Sequence, residues 1–341
     1  MTVTHTGART VRTEHIGAFT LENGACLDNV CVAYHLDGID AAPRDETVVV
    51  LHALTGNANA AGDWWAGVVG AGKGIDTARH AVVSPNLLGS CHGTSFTSRG
   101  SEPPAITTRD QARVVAVLVQ RLGFRSVSLA TGGSLGGMVA LELAASHPGL
   151  VQRVVALGAA AVATPWAIAW NHVQRRALDI GGPGALAVAR EIAMISYRTE
   201  AGFKERFGAG TAAHAGVVDW LRHHGTALKA GFDEWAYRTL LSAMDSHDVT
   251  RARGTLGHVL GDRGLGVWGV GIAGDMLYSP SVVHDWVTAV GGVYRCLDTV
   301  HGHDGFLIEQ DQVGAILRDA LDGADRDDAR TAPGRTGRAA A

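Results

Sequence analysis

The chain has 341 residues, 46% of them hydrophobic and 18% charged, with a formal net charge of -4. Such a composition buries a large core, which excludes a disordered chain, and a weakly acidic balance without a Lys/Arg cluster excludes a nucleic-acid groove. Cys26, Cys31, Cys91 and Cys296 form no Cys-x-x-Cys pair and have no histidine at zinc-finger spacing, so reduced thiols in a cytoplasmic protein without a metal are expected. Met1 to Val11 lacks an apolar signal segment. The uncharged run Val154 to Trp170 is broken by Gly158, Thr164 and Pro165, which reads as a core strand entering a loop and leaves no membrane span.

In chain order, residues 13–37 read as a β-hairpin, Ile16 to Leu21 and Leu27 to His35 alternating around the turn signal Asn23-Gly24. Thr47 to Leu51 is a continuous apolar strand, buried on both faces, and runs into His52-Ala53-Leu54-Thr55-Gly56. His80 to Ser84 is another. Thr108 caps a helix over Arg109 to Leu122, with Ala112, Val115, Val119 and Leu122 on one face. Ser126 to Ala130 is a short buried strand, Leu135 to His147 a helix stopped by Pro148-Gly149, and Val151 to Leu157 a strand. This alternation indicates a mostly parallel sheet covered on both faces. It is interrupted from 160 to 255 by a mostly helical stretch carrying Trp166, Trp170, Trp220 and Trp235, read as a lid between core segments 13–159 and 256–322. Strands resume at Leu265 to Ile272 and Val293 to Leu297, with helices over Val282 to Val290 and Ile308 to Leu321. Residues 323–341 read as a disordered tail.

Gly132-Gly133-Ser134-Leu135-Gly136-Gly137 joins the 126–130 strand to the 135–147 helix. A serine at a strand-to-helix turn, with glycine two residues before and two after, is the G-x-S-x-G nucleophile elbow. Glycine is required because strand and helix backbones approach closely there. A hydroxyl is a weak nucleophile at neutral pH. It needs a base, and the base needs a carboxylate to hold its tautomer. With an elbow these follow in the order Ser, acid, His. Asp275 follows the 265–272 strand, and His303 follows the 293–297 strand just before the last helix. Asp262 and Asp298 compete with Asp275, and His301 competes with His303. The backbone N–H of Leu135, and that of Leu54 after the 47–51 strand, are candidate oxyanion donors. His52 reads as a packed loop residue rather than a base or ligand. No His-x-x-x-His spacing suggests a catalytic metal.

Taken together, these strings resemble the homoserine O-acetyltransferase family of the α/β-hydrolase fold. They are His52-Ala53-Leu54-Thr55-Gly56 with Trp64-Trp65, Gly72-Lys73 with Asp76-Thr77, Pro85 to Cys91, Ile106 to Asp110, the elbow itself, Met194 to Arg198, Glu205-Arg206-Phe207, Ala243 to Val249, and Gly302 to Leu307. The match runs from about residue 15 to 320. The resemblance implies an α/β-hydrolase fold with a helical lid and an acyltransferase working by ping-pong transfer. Ser134 takes an acyl group, expected to be acetyl, from acyl-CoA as co-substrate, with no bound cofactor. The hydroxyl of homoserine then removes it, with His303 as base and Asp275 orienting it. It also implies that Arg198 holds the substrate carboxylate, that Asp304 pairs with its ammonium, that Tyr237 contacts it, and that the lid forms a homodimer.

The chain departs from the family string at Leu135, where Met is commoner. It also departs in a short His92 to Pro104 segment, at His92 in place of Tyr, and at Trp235. These leave serine or another hydroxyl compound as alternative acceptors. An esterase with the same triad, or a scaffold that has lost catalysis, are the competing readings. Arg198 and Asp304 favour transfer over hydrolysis.

Overall fold

The computed structural model describes residues 10–38, 47–98, 104–261 and 264–323. The first half of the chain builds β1 (Arg12–Thr20), β2 (Cys26–Asp37), β3 (Thr47–Leu51), β4 (Ala81–Pro85), β5 (Ser95–Ser98), α1 (Thr108–Arg121), β6 (Val127–Gly133), α2 (Leu135–Ser146) and β7 (Arg153–Leu157). Five helices follow: α3 (Pro165–Ile180), α4 (Ala185–Tyr197), α5 (Glu200–Phe207), α6 (Thr211–Gly231) and α7 (Glu234–Asp245). The chain then returns through β8 (Gly266–Ile272), α8 (Pro280–Ala289), β9 (Val293–Leu297), α9 (Gly305–Ile308) and α10 (Gln310–Asp322).

The strands lie in the order β1-β2-β4-β3-β6-β7-β8-β9, parallel from β4 to β9, with the hairpin β1-β2 antiparallel at one edge. Alternation along the strands separates two cores. Val48, Val50, Leu129, Val155, Leu157, Val270 and Ile272 face α10 and the 60–75 segment. Val49, Leu51, Ala130, Val154 and Ala156 face α1, α2 and α8. Both faces are apolar because both are covered by helices. This is the α/β arrangement expected from the residue pattern.

Three local expectations change. The helix cap is Thr107, not Thr108: Thr107 accepts from Asp110 N–H while Asp110 accepts from Thr107 N–H, a reciprocal capping box. Thr108 is the first helical residue, and its hydroxyl meets His247 Nδ1 at 2.9 Å. The hairpin loop is five residues, 21–25, because Asn23 Oδ1 accepts from Ala25 N–H and Leu21 pairs with Ala25. β5, paired with β2, lay outside the reading because Ser95–Ser98 is mostly polar and carries no apolar alternation.

The helices α3–α7 fall inside the expected 160–255 lid. Its two ends are zipped together: Ala163 N–H donates to His247 O and Val249 N–H to Ala161 O. A charged network fixes the exit. Glu142, fully buried on α2, accepts from Arg109 at 2.8 Å and Arg253 at 2.7 Å, while Glu22 takes Arg109 and Arg251 at 2.9 and 2.7 Å. The expected tail at 323–341, beyond Gly323, and the alternative acid Asp262 lie outside the described residues.

Removing one partner from a buried network leaves the others desolvated and unpaired. Glu142→Ala is therefore expected to lower the unfolding free energy by about 3–5 kcal/mol, read as a fall in the urea midpoint. A change below about 1 kcal/mol counts against a buried network.

Candidate active site

Ser134 lies between β6 and α2 with φ 55° and ψ -122°, in left-handed backbone that side chains rarely adopt. The elbow is pressed against β3. A Cβ at Gly132 would sit 2.4 Å from Leu51 O, and one at Gly136 2.1 Å from the same oxygen. Only a bare α-carbon allows that approach. Leu51 pairs with Gly132 across parallel β3 and β6, so the loops leaving both strands emerge side by side. This places Leu54 and Leu135 at one rim. Leu135 opens α2, where a helix has no internal acceptor for its N–H. Ser134 is almost completely buried, 5% exposed.

Asp275 and His303 arrive from β8 and β9. His303 Nδ1–H donates to Asp275 Oδ2 at 2.7 Å. The other carboxylate oxygen, Oδ1, accepts from Leu277 N–H at 2.8 Å and Tyr278 N–H at 3.1 Å. The acid is thus fully held and the imidazole tautomer is set, leaving Nε2 as the acceptor nitrogen. Nε2 is buried without a partner among the described residues. The ring lies among Tyr197, Tyr278 and Phe306, at centroid distances of 5.5, 5.7 and 5.7 Å. Burial works against a charged ring, but the Asp275 charge and hydrogen bond outweigh it, so His303 titrates above its ordinary value.

Leu157 and Gly158 bring the three together. Ser134 N–H donates to Leu157 O at 2.8 Å. A Cβ at the next residue, Gly158, would lie 3.3 Å from Asp275 Oδ2 and 3.4 Å from His303 Cε1. Serine, acid and histidine therefore gather around one turn at the end of β7. The competitors lie elsewhere. Asp298 is exposed, and its backbone is tied to Gln312. His301 lines a lid cavity of about 260 Å³ with Arg198, Phe203, Arg206, Phe207 and Trp220.

His52 is the loop residue expected, with a defined task. Its Nδ1–H donates to Ala53 O at 2.7 Å and its Nε2 accepts from Leu87 N–H at 3.0 Å. Burial lowers its pKa to about 4, so the ring is neutral and ties the Leu54 loop to the segment after β4. Arg198 and Asp304 pair with each other at 2.9 Å. Arg198 keeps a buried Nε without a partner among the described residues. Tyr237 is fully buried, and its hydroxyl donates to Gln174 Oε1 at 2.5 Å, so the structure sets it in the packing between α7 and α3. Gly158, Tyr197 and Tyr278 were not read as site residues. A glycine or tyrosine has no local pattern that announces which distant loop it will touch.

No group of three or more His, Cys, Asp or Glu side chains among the described residues has metal-site geometry, and no helix among them is long and apolar enough to cross a membrane. A family profile for the alpha/beta hydrolase fold matches residues 46–180. A homoserine O-acetyltransferase of Thermus thermophilus is 38% identical over 337 residues, spanning 88% of this chain and 88% of that one. The chain belongs to the homoserine O-acetyltransferase family. A homoserine O-acetyltransferase of Moorella thermoacetica is 34% identical, over 88% of this chain and 92% of its own. The crystal structure of the Staphylococcus aureus homoserine O-acetyltransferase superposes with a TM-score of 0.79 at 28% identity, covering 93% of this chain and 95% of that one.

Strain at Ser134 separates two substitutions. A non-glycine residue in such backbone costs about 1–3 kcal/mol. Ser134→Gly relieves it, less the roughly 0.5–1 kcal/mol that glycine loses in backbone entropy, whereas Ser134→Ala keeps it. The glycine variant is expected to unfold at a higher urea concentration than the alanine variant. Equal midpoints would mean that the elbow is unstrained.

Proposed function

We propose that the protein transfers an acetyl group from acetyl-CoA to the side-chain hydroxyl of homoserine through an acyl-enzyme on Ser134. The observation that carries this reading is the His303 ring, held by Asp275 through Nδ1 and left with a buried Nε2 that has no partner among the described residues. In the first half-reaction Nε2 takes the proton of the Ser134 hydroxyl as Oγ attacks the thioester carbonyl. Oxyanion charge develops at a rim bearing the Leu54 and Leu135 N–H groups, beside the N-terminus of α2. The tetrahedral intermediate expels CoA, whose sulfur takes the proton back from His303.

In the second half-reaction the homoserine hydroxyl gives its proton to Nε2 and attacks the acetyl-enzyme. Ser134 then leaves, reprotonated by His303. Asp304 is the residue after this histidine, and its ion pair with Arg198 supports an amino-acid acceptor. A zwitterion matches an ion pair: its carboxylate goes to Arg198, whose Nε lacks a partner among the described residues, and its ammonium goes to Asp304. Water carries no charge for this pair to bind, which favours transfer over hydrolysis. Tyr237 then acts through packing, with its hydroxyl held by Gln174.

The same reading includes a homodimer through the lid. Its support is an apolar groove between α3 and α4 lined by Val173, Ala177, Ile180, Val188 and Ile192, with Ile180 81% exposed.

Acetyl-CoA alone is expected to add one acetyl group to Ser134, seen by mass spectrometry of the intact protein and its peptides. Homoserine should discharge that adduct faster than water does. Ser134→Ala should show neither the adduct nor thiol release. An adduct that water clears as fast as homoserine would make the protein a hydrolase, and transfer without an adduct would remove the covalent scheme.

Acylation also has a pH signature. Only the neutral ring accepts a proton, and Asp275 raises the His303 pKa above the ordinary 6.5. The acid limb of kcat/KM for acyl-enzyme formation is therefore expected above pH 6.5, with the rate falling as pH drops through it. A midpoint at or below 6.5 would mean that the Asp275 carboxylate does not govern the base.

A further inference from the structure

We infer that Thr199 is a positioning residue that locks the lid onto both loops carrying the catalytic acid and base; this rests on the roles proposed for His303 and Asp275. Thr199 stands between the C-terminus of α4 and the first turn of α5. Its hydroxyl accepts from Gly202 N–H at 2.9 Å, the ordinary duty of a helix N-cap. It also donates to Val300 O at 2.5 Å, three residues before His303. A cap needs only an acceptor, so this second bond is additional to capping.

The methyl group has a separate task. A Cβ at Gly274 would lie 2.6 Å from the Thr199 methyl carbon, and one at Gly302 3.1 Å from the same atom. Gly274 and Gly302 immediately precede Asp275 and His303, and both have positive φ, 69° and 63°. One side chain therefore spans the two loops at the residue before each catalytic group. A Cβ at Gly302 would also lie 3.3 Å from Gly274 O, so the loops touch each other at this point.

The neighbours of Thr199 reinforce it. The Tyr197 ring packs 5.5 Å from the His303 ring, and Arg198 pairs with Asp304 at 2.9 Å. Three consecutive lid residues thus meet the 300–304 segment through a ring contact, an ion pair and a hydrogen bond. A His303–Asp275 bond of 2.7 Å between two separate loops holds only while those loops keep their spacing. Thr199 supplies that spacing from the lid, so displacement of the lid strap and misalignment of the base occur together.

Three variants of the full chain separate this role from helix capping. Thr199→Ser keeps both hydrogen bonds. Thr199→Gly caps a helix nearly as well as threonine, but has neither the donor nor the methyl. Thr199→Val keeps the shape and loses the hydroxyl. The probe is p-nitrophenyl acetate, whose acylation of Ser134 needs the triad but neither CoA nor an amino-acid site. Misplacement on the order of 1 Å costs about 100-fold in rate. The serine variant, which keeps both hydrogen bonds and loses only the methyl contact with Gly274 and Gly302, is expected about 3- to 10-fold slower than the wild type in acylation, and the glycine and valine variants about 30- to 100-fold slower. KM should change little, and the glycine variant should keep the wild-type urea midpoint. The second readout is the far-downfield proton resonance of the His303 Nδ1–H, present in the wild type and the serine variant and lost or shifted in the other two. Glycine and valine variants with wild-type rates, or rates that follow the urea midpoint alone, would overturn the proposal. If the wild type does not react with the ester, the proposed triad roles fail and the resonance alone decides: unchanged in all variants, it removes Thr199 from any positioning role.

Discussion

The contact between the Leu51 carbonyl and the elbow glycines constrains the rest of the site. Gly132 and Gly136 close on that oxygen to distances at which no side chain fits. The turn is consequently tight enough to hold Ser134 in left-handed backbone. Strain of this kind persists only when neighbours over-determine it. Here the neighbours are β3 on one side, β7 on the other through the Leu157 carbonyl, and the Phe306 ring, which would meet a Cβ at Gly133 at 2.3 Å. The serine is placed by backbone against backbone, the stiffest means a protein has.

The acid and base are placed differently. Asp275 and His303 reach the turn at Leu157–Gly158 from two loops, and each loop has its own anchor. Backbone amides of Leu277 and Tyr278 grip the carboxylate, and three aromatic rings surround the imidazole. The low-polarity surroundings raise the Tyr197 pKa to about 12 and push Tyr278 higher still, chiefly by burial. The same surroundings strengthen the hydrogen bond between His303 and Asp275. Burial opposes protonation of His303 while the Asp275 carboxylate promotes it, and the carboxylate prevails. On the proposed mechanism, this balance suits a group that must gain and lose a proton in each half-reaction.

The lid is more than a cover. Its exit is pinned to the core by the Glu142 network and its two ends to each other by the short bridge at Val162 and Asp248, while residues 197–199 reach down to the histidine loop. A shared sheet and elbow serve many reactions across this fold, so chemistry must be assigned from the site. In this chain Arg198 and Asp304, the ion pair proposed to bind the acceptor, are contributed jointly by the lid and the core.

Much of this was legible in the residues alone. The strands read at 47–51, 126–130, 151–157 and 265–272 declare themselves because a sheet covered on both faces is apolar along most of each strand, and the structure shifts their ends by up to three residues. The elbow declares itself because only glycine tolerates the crowding around Ser134. Capping misled by one residue at Thr107, since two adjacent threonines carry the same signal and only the reciprocal bond with Asp110 distinguishes them. The polar strand β5 gave no signal at all. Ser134, Asp275 and His303 followed from chain order and strand ends, a local property of the sequence. Their convergence at Gly158, the pairing of Arg198 with Asp304, the burial of Tyr237 against Gln174 and the bridge that Thr199 makes between two loops belong to the tertiary structure alone. Such contacts join residues tens to hundreds of positions apart, and no periodicity or turn propensity within a segment encodes which distant segment it will meet.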